Sequence, residues 1–191
     1  MKLFRTIEAV ADGNYCVGDV ITFTLNDGEE VEALAVKQED DGMLFCLVDC
    51  LRREYSMNRT SSNRGGYDTS AMRKALNGEI LDRFPADLRE KMVAFESGDL
   101  LRLPTEREIF GENPYGEQEP DTVTQWEPMK DRRNRIAFQG SKTGVWEWYW
   151  LQNKVQDSAA RFARVNYDGD ADYYYASNAH GVRPAFKIKK S

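Results

Sequence analysis

Hydrophobic and polar residues alternate in the first quarter of the chain, in short runs separated by turn-forming residues. Apolar positions recur over residues 17–25, 31–36 and 43–48, which predicts three strands. Asn26-Asp27-Gly28 and Asp40-Asp41-Gly42 separate these runs, and such residues favour tight turns because they tolerate positive φ angles. The pattern therefore predicts a three-stranded meander.

The middle of the chain changes to helical signals. Residues 52–66 are polar and rich in turn formers, which predicts a loop. Asp68, Thr69 and Ser70 then offer N-caps for a helix over residues 71–76, and Gly78 follows as a signal for its end. Two further short helices are predicted over residues 79–84 and 86–92.

Thr105 and Glu108 have the spacing of a capping box, so another helix is predicted to begin there and to end near Gly111. Glu106 and Glu108 could also be considered as an acid/base pair. Their position at a helix start is explained by capping and by the favourable field of the helix N-terminus. We therefore assign them no catalytic role.

Three tryptophans alternate near residue 150. Trp146, Trp148 and Trp150 have the period of a strand, which predicts that they share one face. A buried core face is the favoured interpretation, and a sugar-stacking platform is the alternative. In the core interpretation Glu147 and Tyr149 point outward.

The chain is predicted to finish as β-structure. Residues 161–167 form a second strand, Asp168-Gly169 form a turn, and residues 181–188 form the last strand. Pro184 suggests that this last strand lies at an edge or contains a bulge. Since no linker-like stretch divides the chain, residues 1–191 are predicted to form one α+β domain. Its helices, within residues 68–111, should pack on a sheet that includes both termini.

Composition excludes several classes of protein. Acidic residues outnumber basic ones, which gives a net charge of −6 and disfavours nucleic-acid binding. Aromatic residues make up 12%, which argues against disorder. No apolar run approaches the roughly 20 residues of a membrane span, and the first residues show no signal peptide. We expect neither a nucleic-acid partner nor a membrane span.

Cysteine and histidine are scarce. Cys16, Cys46 and Cys50 are an odd number with no zinc-binding spacing, so buried thiols in a reducing compartment are expected. His180 is the single histidine, which excludes a multi-histidine metal site. Its charge could add a pH dependence near neutrality.

Asp168, Asp170 and Asp172 have the spacing that opens a calcium-binding loop. An EF-hand would then need a glycine and a glutamate, but Tyr173 and Ala179 occupy those positions. An EF-hand is therefore not expected, although a weak, irregular calcium site stays open. The sequence contains no glycine-rich phosphate loop and no nucleophile elbow, so no cofactor and no metal are predicted.

The segment 170–180 contains almost no residues of the type found in cores. Tyr173, Tyr174 and Tyr175 are consecutive, so they cannot all point inward from an extended chain. Tyrosine beside small polar residues is typical of binding surfaces. A solvated loop whose tyrosines cover a sheet edge is the alternative, and the residues alone leave both open. In either case this segment should tolerate substitution.

Two sets of residues carry a resemblance to known proteins. The most specific is the closing block Gly181-Val182-Arg183-Pro184-Ala185-Phe186, preceded by Trp150-Leu151, Phe162, Val165, Gly169, Ala171 and Ala176-Ser177-Asn178. This part resembles the C-terminal region of C-type-lectin-fold variable proteins, which diversity-generating retroelements diversify in phages and gut bacteria. Upstream, Tyr67-Asp68-Thr69-Ser70, Leu76-Asn77-Gly78, Leu103-Pro104-Thr105 and Glu108-Ile109-Phe110 resemble related lectin-fold domains of the formylglycine-generating-enzyme scaffold.

The resemblance implies an α+β C-type lectin fold with mixed or antiparallel sheets, short flanking helices and long loops. It also implies a variable ligand-binding region at about residues 149–180. In that family adenine codons are randomised, and the resulting codons can encode Tyr, Asp, Ser, Asn, His, Arg and Ala. Residues 170–180 contain only these types. Phe162, Val165, Gly169, Ala171 and Gly181 would then be the fixed scaffold.

The implied function is non-enzymatic binding of a protein or glycan on a cell or phage-host surface, which would place the chain on a virion or cell surface through a partner. The expected ligand-binding residues are Tyr149, Arg164, Asn166, Tyr167, Asp168, Asp170, Asp172, Tyr173, Tyr174, Tyr175, Asn178 and His180. An enzyme on the same scaffold and a structural component of a phage tail or cell surface are the alternatives.

Two features of the resembling families are missing. The calcium- and sugar-binding tripeptides of lectins do not occur, and Glu119-Pro120-Asp121 echoes them only loosely. The paired active-site cysteines of the formylglycine-generating enzymes do not occur either, since no cysteine follows Cys50. Neither calcium-dependent sugar binding nor that oxidase activity is therefore expected.

Overall fold

The computed structural model describes residues 6–8, 14–141 and 143–190. This part of the chain is α+β, with mostly antiparallel strands and a few short helices. The strands are β1 (Thr6–Glu8), β2 (Val20–Thr24), β3 (Glu30–Gln38), β4 (Gly42–Leu47), β5 (Tyr55–Ser56), β6 (Met92–Val93), β7 (Ala137–Phe138), β8 (Trp146–Glu147), β9 (Tyr149–Lys154), β10 (Arg161–Val165), β11 (Ala171–Tyr175), β12 (Ala179–His180) and β13 (Ala185–Lys189).

The helices are short. The α-helices are α1 (Ala71–Ala75), α2 (Ala86–Arg89) and α3 (Glu106–Phe110). Single helical turns of other types span Tyr67–Thr69, Leu76–Ile80, Leu81–Arg83, Glu127–Lys130 and Arg132–Asn134. Among the residues described, no helix has the length and apolar character needed to cross a bilayer.

A six-stranded sheet, in the order β1-β2-β3-β4-β13-β6, forms one side of the fold. The predicted meander is confirmed, since β2, β3 and β4 pair antiparallel in sequence. Its first turn contains Gly28 at φ 85°, as expected for this turn sequence. Strands from both ends of the chain join the sheet, because β1 pairs with β2 and β13 pairs with β4.

The last strand lies inside the sheet, between β4 and β6. Pro184 precedes this strand, and its carbonyl accepts a hydrogen bond from the Leu47 amide at 3.0 Å. The expectation that Pro184 marks an edge strand is therefore wrong. A proline at the entry to an interior strand removes no ladder hydrogen bond, which explains its position.

Helix α1 packs on one face of the six-stranded sheet, as predicted. Ser70 caps it by accepting the Arg73 amide at 3.1 Å. Met72, Leu76 and Ile80 are fully buried in a cluster that also contains sheet residues such as Phe45. Gly78 interrupts the helical geometry as predicted: it has non-helical angles (φ −122°, ψ −108°), and a separate helical turn follows it and reaches Arg83.

A three-stranded sheet, in the order β11-β10-β9, lies between two core clusters. The first core cluster joins Trp150 and Phe162 to residues of the large sheet such as Phe186. The second core cluster joins Tyr149 and Val165 to the opposite face, among residues such as Leu44 and Cys46. Strands β9 and β10 are thus buried on both faces, whereas β11 forms the outer edge.

The tryptophan alternation is not maintained in the structure. Trp146 is 61% exposed, while Trp150, Glu147 and Tyr149 are buried, so the predictions for Trp146, Glu147 and Tyr149 are wrong. The cause is a strand break at Trp148, between β8 and β9. There the backbone of Gly181 donates to the Trp148 carbonyl at 2.8 Å and accepts the Trp150 amide at 3.2 Å.

The cysteines are free thiols. Cys46 and Cys50 are buried as expected, whereas Cys16 is exposed. Burial raises the pKa of the Cys46 thiol to about 11 and raises the pKa of Cys50 as well. These two thiols are therefore protonated and unreactive at neutral pH.

Candidate ligand-binding surface

The hairpin of β10 and β11 is fixed by its turn. The Asn166 side-chain oxygen accepts the amides of Asp168 and Asp170 at 2.9 and 3.0 Å. Gly169 has φ 81°, and a Cβ atom there would lie 3.0 Å from the Arg132 carbonyl oxygen. Only glycine suits both the left-handed angle and the close approach. The turn therefore holds the start of β11 in one position.

A continuous group of aromatic rings and guanidinium groups covers this hairpin and its neighbours. We call it the aromatic surface. It consists of Tyr115, Trp146, Trp148, Tyr167, Tyr173, Tyr174 and Tyr175, together with Arg161, Arg164 and His180.

Trp146, Trp148 and Tyr167 form one end of the aromatic surface. The rings of Trp146 and Tyr167 are nearly parallel, with centroids 6.3 Å apart. Trp148 meets Tyr167 edge-on at 5.3 Å. The Arg164 guanidinium then lies 5.6 Å from the Trp148 ring and 4.3 Å from the Tyr174 ring. This cation joins the tryptophans to the tyrosine run.

The other end is built around Arg161. Its guanidinium lies 5.3 Å from the Tyr173 ring and 4.6 Å from the Tyr175 ring. It also donates to the Tyr175 hydroxyl at 2.9 Å. Tyr115, from a distant loop, packs edge-on against Tyr173 at 4.7 Å. Tyr174 and Tyr175 meet at 5.8 Å and connect the two ends.

Arg164 holds the centre of the aromatic surface together. Its guanidinium binds the Asp172 carboxylate through Nε at 2.8 Å and Nη2 at 2.7 Å. Nη1 lies 2.8 Å from His180 Nε2. Because a guanidinium can only donate, Nε2 accepts this bond and the imidazole is neutral. Arg164 is itself buried, so it positions other groups more than it offers a contact.

His180 does not titrate near neutrality, contrary to the sequence-based expectation. Its ring is half-buried, lying 4.8 Å from the Trp150 ring and 5.4 Å from the Tyr174 ring. Burial and the Arg164 charge lower the pKa of His180 to about 4. Both effects penalise the imidazolium, so any pH dependence from this residue falls in the acid range.

Exposed apolar side chains concentrate here. Within the described ranges the large hydrophobic residues with substantial exposure are Val17, Tyr115, Val145, Trp146, Tyr167, Tyr174 and Tyr175. All except Val17 belong to the aromatic surface or directly precede it in sequence. Contiguous exposed apolar area on a folded protein is characteristic of an interaction site.

The predicted ligand-binding residues divide into three groups. Those that belong to the aromatic surface are Arg164, Tyr167, Tyr173, Tyr174, Tyr175 and His180. Those that lie beside it are Asn166, Asp168, Asp170, Asp172 and Asn178. Tyr149 is fully buried; its hydroxyl donates to the Arg135 carbonyl at 2.9 Å, and Arg183 donates to it at 3.1 Å. It lies in the second core cluster and cannot contact a ligand, which corrects its assignment.

The sequence did not indicate four members of the aromatic surface as ligand-binding residues. Tyr115 comes from a loop far away in the chain, with no local signal of its position. The sequence predicts only a strand at Arg161. Trp146 and Trp148 are predicted in the core, whereas Trp146 is exposed and Trp148 is half-buried in the structure.

The aspartates near the turn are spread among different partners. Asp172 pairs with Arg164, and Asp170 lies 3.7 Å from Arg132. Across the ranges 14–141 and 143–190, no three potential metal ligands converge. Glu106, the other carboxylate of interest, is buried and accepts the amides of Tyr115 and Gly116 at 3.2 and 2.8 Å. It thereby supports the loop that carries Tyr115.

A titrating carboxyl group lies beside the aromatic surface. Glu147 adjoins Trp148 and is 5% exposed. Burial and the neighbouring Glu54 carboxylate raise the pKa of Glu147 to about 7. At a pH between the ordinary pKa of glutamate and about 7, Glu147 is therefore protonated in the native state and ionised in the unfolded state.

Replacing Glu147 by glutamine is expected to flatten the pH dependence of stability. The native protein binds more protons than the unfolded one over the window from about pH 4.3 to 7, so its stability falls as pH rises through that window. The variant cannot lose a proton and should be more stable than the wild type at about pH 8, by on the order of 2 kcal/mol. Urea denaturation of both proteins at several pH values checks this.

His180 is present in both proteins, so its contribution to the pH dependence cancels in the comparison. The difference between their free energies of unfolding then reports on Glu147. The lowered pKa of His180 works in the opposite direction, since its stabilisation is lost as pH falls from about 6.5 towards 4. Parallel stability curves for the two proteins between acid and alkaline pH would contradict the assignment of the raised pKa to Glu147.

Comparison of the chain with protein-family models, with curated proteins and with solved structures finds no match. Its function is therefore argued from the surface that the structure shows.

Proposed function

We propose that this chain is a non-enzymatic ligand-binding protein whose binding site is the aromatic surface. The observation that carries the proposal is the concentration of exposed aromatic rings on one hairpin and its neighbours, where Tyr167, Tyr174 and Tyr175 are 39–42% exposed. Tyrosine, tryptophan and arginine are the residues that contribute most to binding energy at interfaces.

Hydrogen bonds and ion pairs hold several side chains of the aromatic surface in place in the structure without a ligand. Arg164 is held by Asp172 and His180, and Arg161 is held by the Tyr175 hydroxyl. The turn at Gly169 fixes the hairpin itself. A site whose side chains are already ordered loses less conformational entropy on binding, so these contacts favour affinity.

More specifically, we propose that the scaffold is a C-type lectin fold and that a retroelement diversifies its C-terminal region. What supports it is a division among the residues of this region. Most of the residues of the types that randomised adenine codons can encode occupy exposed or half-buried positions, such as Tyr167, Asp170 and Tyr174, whereas Arg164 is buried. The expected scaffold residues Phe162 and Val165 are fully buried. A reverse transcriptase gene and an imperfect template repeat beside the coding sequence are the expected genomic result.

The ligand class that fits this proposal is a protein or glycan on a cell or phage-host surface, with the chain carried on a virion or cell surface by a partner. The test is a binding screen of the purified chain against arrays of surface proteins and glycans. Binding of the ligands found in this screen should be weakened by substitutions in the aromatic surface. Binding that depends instead on Asn26 or on the 52–66 loop would contradict the placement. Substrate turnover that is lost on replacing Asp168 or Asp170 would contradict the non-enzymatic assignment.

Replacing Tyr174 by alanine should separate binding from stability. The side chain is 39% exposed, so the free energy of unfolding should change by only about 0.5 kcal/mol. Affinity for a ligand found in the screen should fall by about tenfold or more, because Tyr174 lies at the centre of the aromatic surface. Thermal denaturation and titration of the ligand measure the two effects.

Val17→Ala is the matched control, since Val17 is 42% exposed but lies outside the aromatic surface. This substitution should change neither the free energy of unfolding nor the affinity for the ligand. Asp172 is unsuitable as a control: its removal would leave the buried Arg164 without its carboxylate. Equal loss of affinity in the Tyr174 and Val17 variants would count against the aromatic surface as the site.

A further inference from the structure

The outer edge of β11 is unpaired. Strand β11 lies at the end of the order β11-β10-β9, and in the described part of the chain no other strand pairs with it. Its residues Ala171, Tyr173 and Tyr175 are half-buried or exposed. An accessible sheet edge offers backbone groups to which a further strand can bond.

The hydrogen-bond pattern shows which backbone groups face outward. The Asn166 amide bonds to the Asp170 carbonyl, and the Ala176 amide bonds to the Ala160 carbonyl, both at 2.9 Å. In an antiparallel pair such bonded positions alternate. With the register of β10 and β11, Asp172 and Tyr174 therefore bond towards β10. The intervening residues 171, 173 and 175 direct their amides and carbonyls away from it.

Some of these outward groups already have partners. The Tyr173 amide donates to the Asp172 carboxylate at 2.8 Å, and the Tyr175 carbonyl accepts the Asn178 amide at 3.1 Å. Within the described part of the chain, the outward groups left without such a partner are the amide and carbonyl of Ala171, the carbonyl of Tyr173 and the amide of Tyr175. They form donors and acceptors in the spacing of a β-ladder, which is complementary to another extended polypeptide backbone.

Aromatic side chains flank this edge on both faces. From the register, Tyr174 lies on the same face as Phe162, next to His180 and Trp148. Tyr173 and Tyr175 lie on the opposite face, with Arg161 and Tyr115. Successive side chains of a strand added at this edge would point alternately towards the two groups of rings.

We propose that the ligand of the aromatic surface is an extended polypeptide segment of another protein, which adds to the outer edge of β11 as a further strand. This inference rests on the proposed function and narrows its ligand class. Backbone complementarity favours a polypeptide over a glycan, because a glycan has no matching ladder of amides and carbonyls. Asp168 and Asp170 are exposed at the turn before β11. Because Asp170 already lies 3.7 Å from Arg132, it is mainly Asp168 that favours a lysine or arginine at the adjoining end of the segment.

The experiment uses the purified full chain and a display library of random linear peptides. The tightest-binding peptide is then synthesised with each backbone nitrogen methylated in turn. Since only alternate amides of an added strand face β11, methylation should weaken binding at every second position. Each sensitive position should lose about tenfold in affinity, and the positions between them should change little.

A protein variant gives an independent measurement. In Ala171→Pro the outward amide is removed, whereas the bonds from β11 to β10 are kept, since proline is tolerated on an edge strand with this orientation. This variant should bind the peptide about tenfold or more weakly, and its circular dichroism spectrum should be unchanged. If this variant fails to fold, the methylation series on the wild-type chain still decides the question.

The outcomes separate this inference from the proposed function. Binding that needs Tyr174 but shows no alternation overturns strand addition and leaves the aromatic surface as the site. Glycan binding without peptide binding also overturns strand addition and leaves the aromatic surface as the site. If Tyr174→Ala binds the peptide as tightly as the wild type, both the strand addition and the proposed site are overturned. A concentration-dependent dimer that Ala171→Pro converts to a monomer would show that a second copy of the chain occupies the edge, which also overturns the proposal.

Discussion

Replacing Trp150 by alanine is expected to lower the free energy of unfolding by about 3–5 kcal/mol. The indole is fully buried in the first core cluster, together with Phe162 and Val182. Its N–H donates to the Tyr55 carbonyl at 2.9 Å. The substitution therefore opens a large cavity and leaves a carbonyl group without its donor. Urea denaturation followed by fluorescence and circular dichroism measures the loss.

Trp146→Ala is the matched control, because it removes the same side chain from an exposed position. Trp146 is 61% exposed, so its replacement should cost less than about 1 kcal/mol. It should instead affect ligand binding, since its ring stacks on Tyr167. A loss of stability as large as that of the Trp150 variant would contradict the placement of the two rings.

Local signals in the sequence predicted the local structure well. The hairpin at Asn26-Asp27-Gly28 forms where its residues suit a tight turn, and Asn26 and Asp27 also bond to residues 82–84. The capping box of Thr105 and Glu108 is present in full, and the helix ends at Gly111 with φ 83°. For the helix cap the interacting residues lie within three positions of each other, so the sequence alone predicts the contact.

The alternation of tryptophans failed because it assumes a continuous strand with one buried face. The strand is interrupted at Trp148, where Gly181 approaches from a remote part of the chain. Beyond the break, β9 is buried on both faces, so Tyr149 and Trp150 enter different core clusters. A strand of that kind has no polar face, and a period of two cannot reveal its orientation.

The candidate site was predictable in part. The exposure of residues 170–180 follows from their composition, and the structure places most of them at the surface. The side chains that complete the site come from elsewhere. Tyr115 reaches Tyr173 through a loop that the buried Glu106 carboxylate organises. Such contacts between remote segments depend on the whole fold, and one sequence carries no pattern for them.

Removing the carboxylate of Glu108 is expected to be as costly as removing a core ring. Its two oxygens accept the Arg102 guanidinium through Nη1 at 2.7 Å and Nη2 at 2.6 Å, and also accept the Thr105 amide at 3.0 Å. Arg102 lies among apolar groups, with its guanidinium 4.7 Å from the Phe95 ring. Glu108→Ala leaves that charge buried without its partner, so stability should fall by about 3–5 kcal/mol.

Two further variants distinguish the ion pair from the helix cap. Thr105→Ala removes only the hydroxyl that accepts the Glu108 amide, and should cost about 1 kcal/mol. Arg102→Met combined with Glu108→Met replaces both charges by apolar side chains of similar length. It should be less destabilising than Glu108→Ala alone, because no buried charge is left uncompensated. Denaturation of the three variants under one set of conditions gives the comparison. If Glu108→Ala costs no more than Thr105→Ala, the carboxylate acts as a cap alone, and the pairing with Arg102 contributes nothing to stability.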